Sequence, residues 1–450
     1  MAKRTVPRLC LSDKQQKLRE LQVPPLLSVF EHLCDWRKAR GKIYSLTALL
    51  TVVLTGLLCG KKAVKPIARW RRALPLLTRA KMGLPLERSP AAKTLDRLLA
   101  KLDPDALEAA IRNWLATVNE QLAQLGFALR IAIDGKTVRG AAKRGARCVH
   151  LLAAVCHELQ IVWAQVPVDS KTNEITQVLP LLELLCLEGR LLTMDALLTQ
   201  REIAQAIIDR KAHYLMLVKE NQPQLLEDIR LCFASEPLLD EVRETAMTVN
   251  KGHGRLEVRE IVTSAALQGY LDWPGAQQVM QITRQVTRLK TNQETIEQVY
   301  AITSLTPKHG SPQLLLEANR GHWTIENSVH RTRDVQLGED ACAVHKDRAP
   351  QVLAALRNML LAVLRLTGHQ SIAAAIDLYS AQPEQALVTI GLTNRTCRGP
   401  APLSRGRVTF GQLEGKQPTP CSRYRPQRRP RPSPPARSGR VPGGSGPLLR

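Results

Sequence analysis

The sequence predicts an α/β fold, with a helical region first and a helix-covered sheet after it. Three observations predict it. Apolar residues recur at three-and-four spacing up to about residue 126, β-like and helical runs alternate over 129–218, and residues 245–305 read as mostly antiparallel strands. The chain has 450 residues, of which 44% are hydrophobic, so it can bury a sizeable core. A prior of ~150 residues per domain predicts two to three domains.

Residues 24–126 are predicted to be helical because capping residues precede their apolar runs. Ser45 precedes the run that ends at Cys59, and Ser89 and Asp103 each stand before a proline of a first turn. Helices are expected to follow at 91–102 and 105–122. A basic helix face beside Trp70 could hold phosphates or be a solvated charged face, and Pro66 should disturb that helix. The basic residues of that face are Lys61, Lys65, Arg69 and Arg72.

The next region predicts three strands, a helix, a strand, a helix and a strand. The predicted ranges are 129–133, 149–156 and 161–168 for the strands, 173–185 for the helix, then 190–194, 199–211 and 213–218. Four further strands are expected at 245–249, 256–264, 278–287 and 297–304, followed by helices at 312–337 and 349–367. This order is typical of a sheet covered by helices and interrupted by a β insertion at about 240–305.

The positive charge is concentrated at the C-terminal end. The whole chain carries a formal net charge of +24, and residues 395–450 hold thirteen Lys or Arg, one acid and eleven Pro. Such a composition predicts a disordered tail from about residue 393. The tail is interpreted either as a non-specific nucleic-acid arm or as an appended segment without a selected role.

Composition also excludes several classes of protein. The ten cysteines contain no C-x-x-C pair, which indicates reduced thiols in a cytosol. The apolar run at 46–59 is shorter than the ~20 residues that span a membrane, and the first 22 residues lack an apolar signal segment. A Walker loop, zinc-ligand spacing and a nucleophile–base pair are not found. A cytoplasmic, nucleoid-associated protein is expected, because the positive charge attracts polyanions.

Two aspartates follow predicted buried strands, where α/β sheets present ligands and catalytic groups. Asp134 ends one strand and Asp195 ends another. Each alone could be a turn or helix-cap residue, but two in this order favour a metal site. A two-metal phosphoryl-transfer site needs a third acid. Glu326 is the candidate, on a predicted helix face shared with His322, His330 and Arg333, although a surface salt-bridged helix would show the same spacing.

Several segments around these acids resemble one known family. They are IDGKTVRG at 133–140, VDSKTNEI at 168–175, TMDALLTQ at 193–200, VKENQ at 218–222, HGRLEVR at 253–259, and GHWTIEN at 321–327 continuing to RDV at 333–335. Together they resemble an insertion-sequence DDE transposase of the ISAs-one family, in the branch of the H-repeat-associated proteins. The likeness runs from about residue 24 to about 392. Departures from the family pattern are Leu198, Glu220 and Arg331.

The resemblance implies a fold, a reaction and a set of residues. It implies an N-terminal segment at 1–23, a helical domain at 24–126, and an RNase H-like DDE domain with a β insertion at 127–392. It assigns catalysis and metal binding to Asp134, Asp195 and Glu326, which would hold two Mg²⁺ ions, with Mn²⁺ as a possible substitute. Element ends would be cut and the freed 3′-hydroxyl joined to target DNA, with a homo-oligomer acting on paired ends.

Basic residues within or beside these motifs are the expected contacts to DNA phosphates. They are Lys136, Arg139, Lys219, Arg255, Arg259, His322 and Arg333. Alternatives stay open at this point. The chain could be a degenerate or domesticated relative that binds DNA without transposing, a non-enzymatic basic nucleic-acid binder, or an RNase H-like nuclease without strand transfer.

Overall fold

The computed structural model describes residues 17–18, 20–40, 42–85, 87–126, 129–140, 148–168, 174–237, 241–323 and 325–392. They belong to one compact unit within Met1–Cys397. The predicted tail and the stretch at 169–173 of the VDSKTNEI motif lie outside the described residues. The cysteines within the described residues are free thiols, as predicted.

The helical prediction for the N-terminal region is confirmed. Its helices are α1 Ser28–Glu31, α2 Leu46–Leu58, α3 Val64–Arg72, α4 Leu76–Lys81, α5 Ala92–Lys101 and α6 Pro104–Gln124. Ser45 caps α2 by accepting a hydrogen bond from the Ala48 N–H, and Asp103 caps α6. The predicted cap at Ser89 is wrong. Its hydroxyl contacts the guanidinium of Arg71, because a fully buried arginine needs polar partners.

Every predicted strand is present, and those at 149–156, 161–168 and 213–218 have the predicted bounds, whereas the first strand runs to Val138 and not to residue 133. The central strands are β1 Ile131–Val138, β2 Val149–Cys156, β3 Ile161–Val168, β4 Leu191–Met194 and β5 His213–Val218. Helices α7 Glu174–Leu182, α8 Arg201–Asp209 and α9 Pro223–Ala234 lie between or after them. Helix α9 was not predicted, although Pro223 at its first turn is a start signal.

The predicted β insertion extends the central sheet. Its strands are β6 Glu244–Gly252, β7 Arg255–Ser264, β8 Gln278–Arg288 and β9 Gln293–Thr303. The nine strands have the order β3-β2-β1-β4-β5-β9-β8-β7-β6, and β9 pairs antiparallel with β5. The β segment is therefore hydrogen-bonded to the core, and residues of β5, β7, β8 and β9 share one hydrophobic cluster.

The sheet is covered on both faces, because successive strand residues point to opposite sides. Ile131 and Ile133 pack in a cluster with α7 and α8, whereas Ala132 packs in the cluster that contains α2, α6 and α11 (Ala349–Leu366). The N-terminal helices and the sheet thus share one hydrophobic core, and the domain division at 126/127 stays a prediction. Helices α12 Ile372–Ala381 and α13 Pro383–Thr389, which were not predicted, complete the fold.

Helix α11 is the central helix of this core. By length and composition it is the one helix among the described residues that could cross a membrane. However, 89% of its apolar window is buried inside the protein. Its apolar surface is therefore taken up by α2, α5, α6 and β3.

The predicted long helix at 312–337 is wrong in its second half. Helix α10, Pro312–His322, is followed by two π-helical segments, Ile325–His330 and Thr332–Gln336. A π-helix bonds i to i+5, so residues four apart no longer return to the same face. Glu326 is therefore exposed while His322, His330 and Arg333 are buried, and the face predicted to unite them does not form.

Candidate active site

Asp134 and Asp195 lie side by side at the end of a parallel ladder. Strands β1 and β4 pair in parallel up to Ile133 and Met194, and each aspartate is the next residue of its chain segment. Asp134 was predicted to end its strand, but β1 continues to Val138 by pairing with β2. The strand persists because β2 is a long antiparallel partner, whereas β4 has only four residues. The two acids are adjacent, as predicted, because β4 ends at Met194 beside Ile133 of β1.

Other carboxylates lie close enough to Asp134 to change its proton affinity. Burial raises the pKa of Asp134 to about 7, the Gly135 N–H that it accepts at 2.9 Å opposes this, and the charges of Asp195, Glu326 and Glu174 add to the rise. Glu326, which belongs to the first π-helical segment, is therefore close enough for its charge to act on Asp134. Glu174 is a fourth acid that sequence reasoning did not assign to the site.

The donor set has the chemistry of a magnesium site. Carboxylate oxygens are the hard ligands that Mg²⁺ prefers, and carboxylates placed together repel one another unless a cation lies between them. The three candidate acids, Asp134, Asp195 and Glu326, supply donor atoms of this kind. In the part of the chain that the structure describes, no three His, Cys, Asp or Glu side chains are grouped so that they could hold a metal ion as they stand.

An uncharged histidine lies next to Asp134. His330 Nδ1 lies 3.7 Å from Asp134 Oδ2, and burial lowers the pKa of His330 to about 3. The ring is therefore uncharged at neutral pH, and it leaves the negative charge of the carboxylates uncompensated. Asp195 accepts a hydrogen bond from the Leu198 N–H at 3.3 Å, so it also stabilises the turn that follows β4.

Three of the predicted phosphate contacts lie in the interior. Lys136 Nζ bonds Asp334 at 2.8 Å, and the fully buried Arg333 bonds Glu339 at 2.9 Å. His322 is 6% exposed and contacts the Thr193 hydroxyl. The prediction of phosphate contacts is corrected for these three, because tertiary packing gives each an internal polar partner. Arg139 is exposed directly after β1, and its contact with DNA stays a prediction.

The other predicted basic residues line one cavity, here called the basic pocket. Lys219, Arg255 and Arg259 meet there in a space of about 320 Å³ between β5, β7, β8, β9 and α10. Arg284, Arg320, Trp323 and Asn327 also line it, and Trp323 and Asn327 flank Glu326 along the chain. Sequence reasoning missed Arg284, which the β7–β8 register places opposite Arg259. Arg320 directly precedes the motif GHWTIEN and Trp323 lies within it, so this motif was the sequence signal that could have identified both as pocket residues.

Charges within the basic pocket are only partly neutralised. Arg259 and Arg284 both bond Glu257 at 2.6 Å. Lys219, Arg255 and Arg320 are exposed on the pocket wall. The pocket therefore presents net positive charge and one aromatic face, Trp323, which is 46% exposed. Such a combination suits a nucleic-acid backbone with its bases.

Two protein-family models match this chain. Residues 126–363 match the family model described as Transposase DDE domain, which covers more than half of the chain. The chain belongs to this family. Residues 27–115, which contain helices α1–α5, match the model of the region associated with that domain. The predicted likeness to insertion-sequence DDE transposases is thereby confirmed, and the ISAs-one branch stays a prediction.

Individual relatives agree with this family. YncI of Escherichia coli O157:H7, which is named as a transposase, is 31% identical over 61% of this chain and 71% of its own length. A protein of the dhlA 3′ region of Xanthobacter autotrophicus, named as uncharacterized, is 33% identical over 56% of this chain and 86% of its own. YhhI of Escherichia coli K12, named as an H repeat-associated transposase, is 25% identical over 61% and 73%.

One solved structure is similar over most of its length. It is a cryo-EM structure of the piggyBac transposase synaptic complex with hairpin DNA, at 10% identity, and the likeness covers 86% of this chain and 83% of that one. The TM-score is 0.41.

Proposed function

We propose that this DDE family member is a DNA transposase of an insertion sequence. It cuts phosphodiesters at the element ends and joins the 3′-hydroxyl to target DNA by in-line phosphoryl transfer. The observation that carries the proposal is the pair Asp134 and Asp195 at the end of the β1–β4 ladder. The charge of Glu326 acts on Asp134, and Trp323 and Asn327, which flank Glu326 along the chain, line the basic pocket. A site for phosphoryl transfer needs clustered carboxylates next to cationic groups that hold the phosphates.

Asp134, Asp195 and Glu326 would hold two Mg²⁺ ions, for which Mn²⁺ can substitute. When bound, such ions activate water or a 3′-hydroxyl and stabilise the leaving oxygen. The protein's own residues bind and orient the DNA. Lys219 and Arg255 attract the phosphates from the basic pocket. Arg139, which directly follows β1 and is five residues beyond Asp134, is a further phosphate contact. The cationic groups proposed to bind the DNA thus come from three separate strands, because Lys219 follows β5, Arg255 begins β7 and Arg139 follows β1.

The partners follow from the reaction. Two DNA ends and a target must be held together, so a homo-oligomer on paired ends is proposed. A cytoplasmic, nucleoid-associated location fits a DNA substrate and free thiols in the described residues.

The test is a Mg²⁺-dependent cleavage and strand-joining assay on the DNA ends that flank the coding sequence. Wild type is compared with D134N, D195N and E326Q, which keep side-chain size and remove charge. E183Q, at an exposed glutamate outside the site, is the matched control. We expect cleavage and joining in wild type and E183Q and neither in the three site variants.

Each alternative gives a different result in the same assay. A nuclease cleaves but does not join a pre-cut 3′ end. A DNA binder without transposition shifts the DNA in a gel and leaves it uncut. Activity that persists in all three site variants would remove these carboxylates from the mechanism.

A further inference from the structure

One motif residue remains without a role after the site is assembled. Glu174, the last acid of VDSKTNEI, is the first residue of α7 and is about one-fifth exposed. Its Oε1 lies 2.6 Å from His150 Nε2, and His150 Nδ1 lies 2.8 Å from the Thr137 hydroxyl. This hydrogen-bonded series ties α7 to β2 and β1, three residues beyond Asp134.

Gly135 makes room for the Glu174 carboxylate. A Cβ at position 135 would lie 2.3 Å from Glu174 Oε1 and 2.6 Å from Oε2, closer than real atoms approach. Any side chain there would displace the carboxylate. The motif DGK therefore needs its glycine for a contact with a residue 39 positions along the chain, and not for a turn.

Glu174 approaches β1 from the face opposite Asp134. Neighbouring residues of a strand point to opposite sides, and Gly135 faces α7 whereas Asp134 faces the π-helical segments. Glu174 is therefore not a ligand beside Asp134. Its charge lies on the other side of the strand, at a position that is only partly exposed to water.

We propose that Glu174 is a positioning residue of the DDE site. Held by His150 in the space over Gly135, it places a fourth negative charge behind Asp134 and so strengthens the binding of divalent cations by Asp134, Asp195 and Glu326. The inference rests on the proposed function, because it concerns the same three carboxylates. Outer-shell partners of metal ligands act in this way, by orienting the ligands and setting the local field.

The experiment measures binding of Mn²⁺ alone to the full chain without DNA, with the free ion counted by electron paramagnetic resonance. E174Q keeps the size of the side chain and a hydrogen-bonding partner for His150 while it removes the charge. We expect E174Q to weaken Mn²⁺ binding by about tenfold or more. E183Q, just beyond α7, is the matched control and should bind as wild type does.

A second variant tests the position of the charge. G135A retains Glu174 but pushes its carboxylate away, so we expect it to weaken Mn²⁺ binding as well. The double variant G135A/E174Q should be no weaker than E174Q alone, because both changes remove the same contribution. Thermal unfolding without Mn²⁺ identifies any variant that is misfolded.

The outcomes separate the inference from the function on which it rests. If folded E174Q binds Mn²⁺ as wild type does while D134N loses binding, Glu174 has only a structural role and the inference is overturned. If D134N also binds as wild type does, the three carboxylates hold no cation and the proposed function itself fails.

Discussion

At the residue scale, several buried charged side chains outside the DDE site have polar partners, and Glu108 is one of them. Glu108 of α6 accepts a hydrogen bond from Gln165 of β3, and Gln165 in turn accepts one from Asn358 of α11. Burial raises the pKa of Glu108 to about 7, against the opposing effect of the Gln165 hydrogen bond. This series of polar side chains joins the helical region to the sheet.

The first prediction concerns the pH dependence of stability. Because the folded-state pKa of Glu108 is raised above its ordinary value of 4.5, its contribution to stability is full below pH 4.5 and is lost as pH rises to about 7. We expect the melting temperature of E108Q, relative to wild type, to rise across that window and stay constant above it. E120Q, at an exposed position of α6, should show no such trend.

The second prediction concerns the buried ion network around Glu339. Arg333 bonds Glu339 at 2.9 Å and Arg357 lies 3.5 Å from it, and the three side chains are at most 1% exposed. Burial would raise the pKa of Glu339, but the two arginines outweigh it and hold that pKa below its ordinary value. E339Q leaves two buried cations without their anion, so we expect a loss of about 3–5 kcal/mol in unfolding free energy.

Urea denaturation measures this loss, and a surface pair serves as its control. Arg348 bonds Asp103 at 3.2 Å, with both side chains more than half exposed. R348A should cost less than about 1 kcal/mol, because water screens such pairs. Equal costs for E339Q and R348A would show that burial does not govern the network.

At the element scale, the β5–β9 pairing decides where the basic pocket lies. Val218 pairs with Tyr300, so the β6–β9 strands extend the sheet past the end of β5. Arg255 of β7 thereby comes close to Lys219, which follows β5, and to Trp323 after α10. The π-helical segments then bring Glu326 to the same region.

The third prediction tests the pocket through the salt dependence of DNA binding. Each protein–phosphate contact releases counterions from the DNA when it forms, so binding with fewer contacts depends less on salt. K219A/R255A should therefore weaken DNA binding and make the slope of log K against log salt less steep by about 2. R288A, outside the pocket on the same sheet, is the control. A slope that falls equally in R288A would indicate diffuse attraction and not a pocket.

At the scale of the whole molecule, charge and fold are separated along the chain. Half of the net charge of +24 belongs to residues 395–450, outside the compact part that the structure describes. The described part has its own core, which the sheet shares with α2, α6 and α11. Stability and non-specific attraction to DNA should therefore be separable.

The fourth prediction follows from this separation. Truncation after Leu392 should leave the melting temperature unchanged, because the hydrophobic clusters lie before it. Affinity for unrelated DNA and its salt slope should both fall, since thirteen basic residues are removed with one acid. Unchanged affinity, measured by fluorescence anisotropy at several salt concentrations, would favour the interpretation of an appended segment without a role.

The sequence by itself determined the strands, most helices and the three candidate acids. Periodicity and capping are local signals, so β2, β3 and β5 were predicted to the residue and Ser45 was recognised as a cap. The DDE family likewise follows from motifs that are read along the chain.

Only the tertiary structure decided which charged residues are free and which are paired. Lys136 and Arg333 look like DNA contacts in sequence, yet carboxylates bind them in the interior. The partner of Lys136 is 198 residues along the chain, and that of Arg333 is six residues along it. The joining of β9 to β5 and the approach of Glu174 to Gly135 also depend on partners far along the chain. Local patterns carry no record of such contacts, because they form only when the whole core packs.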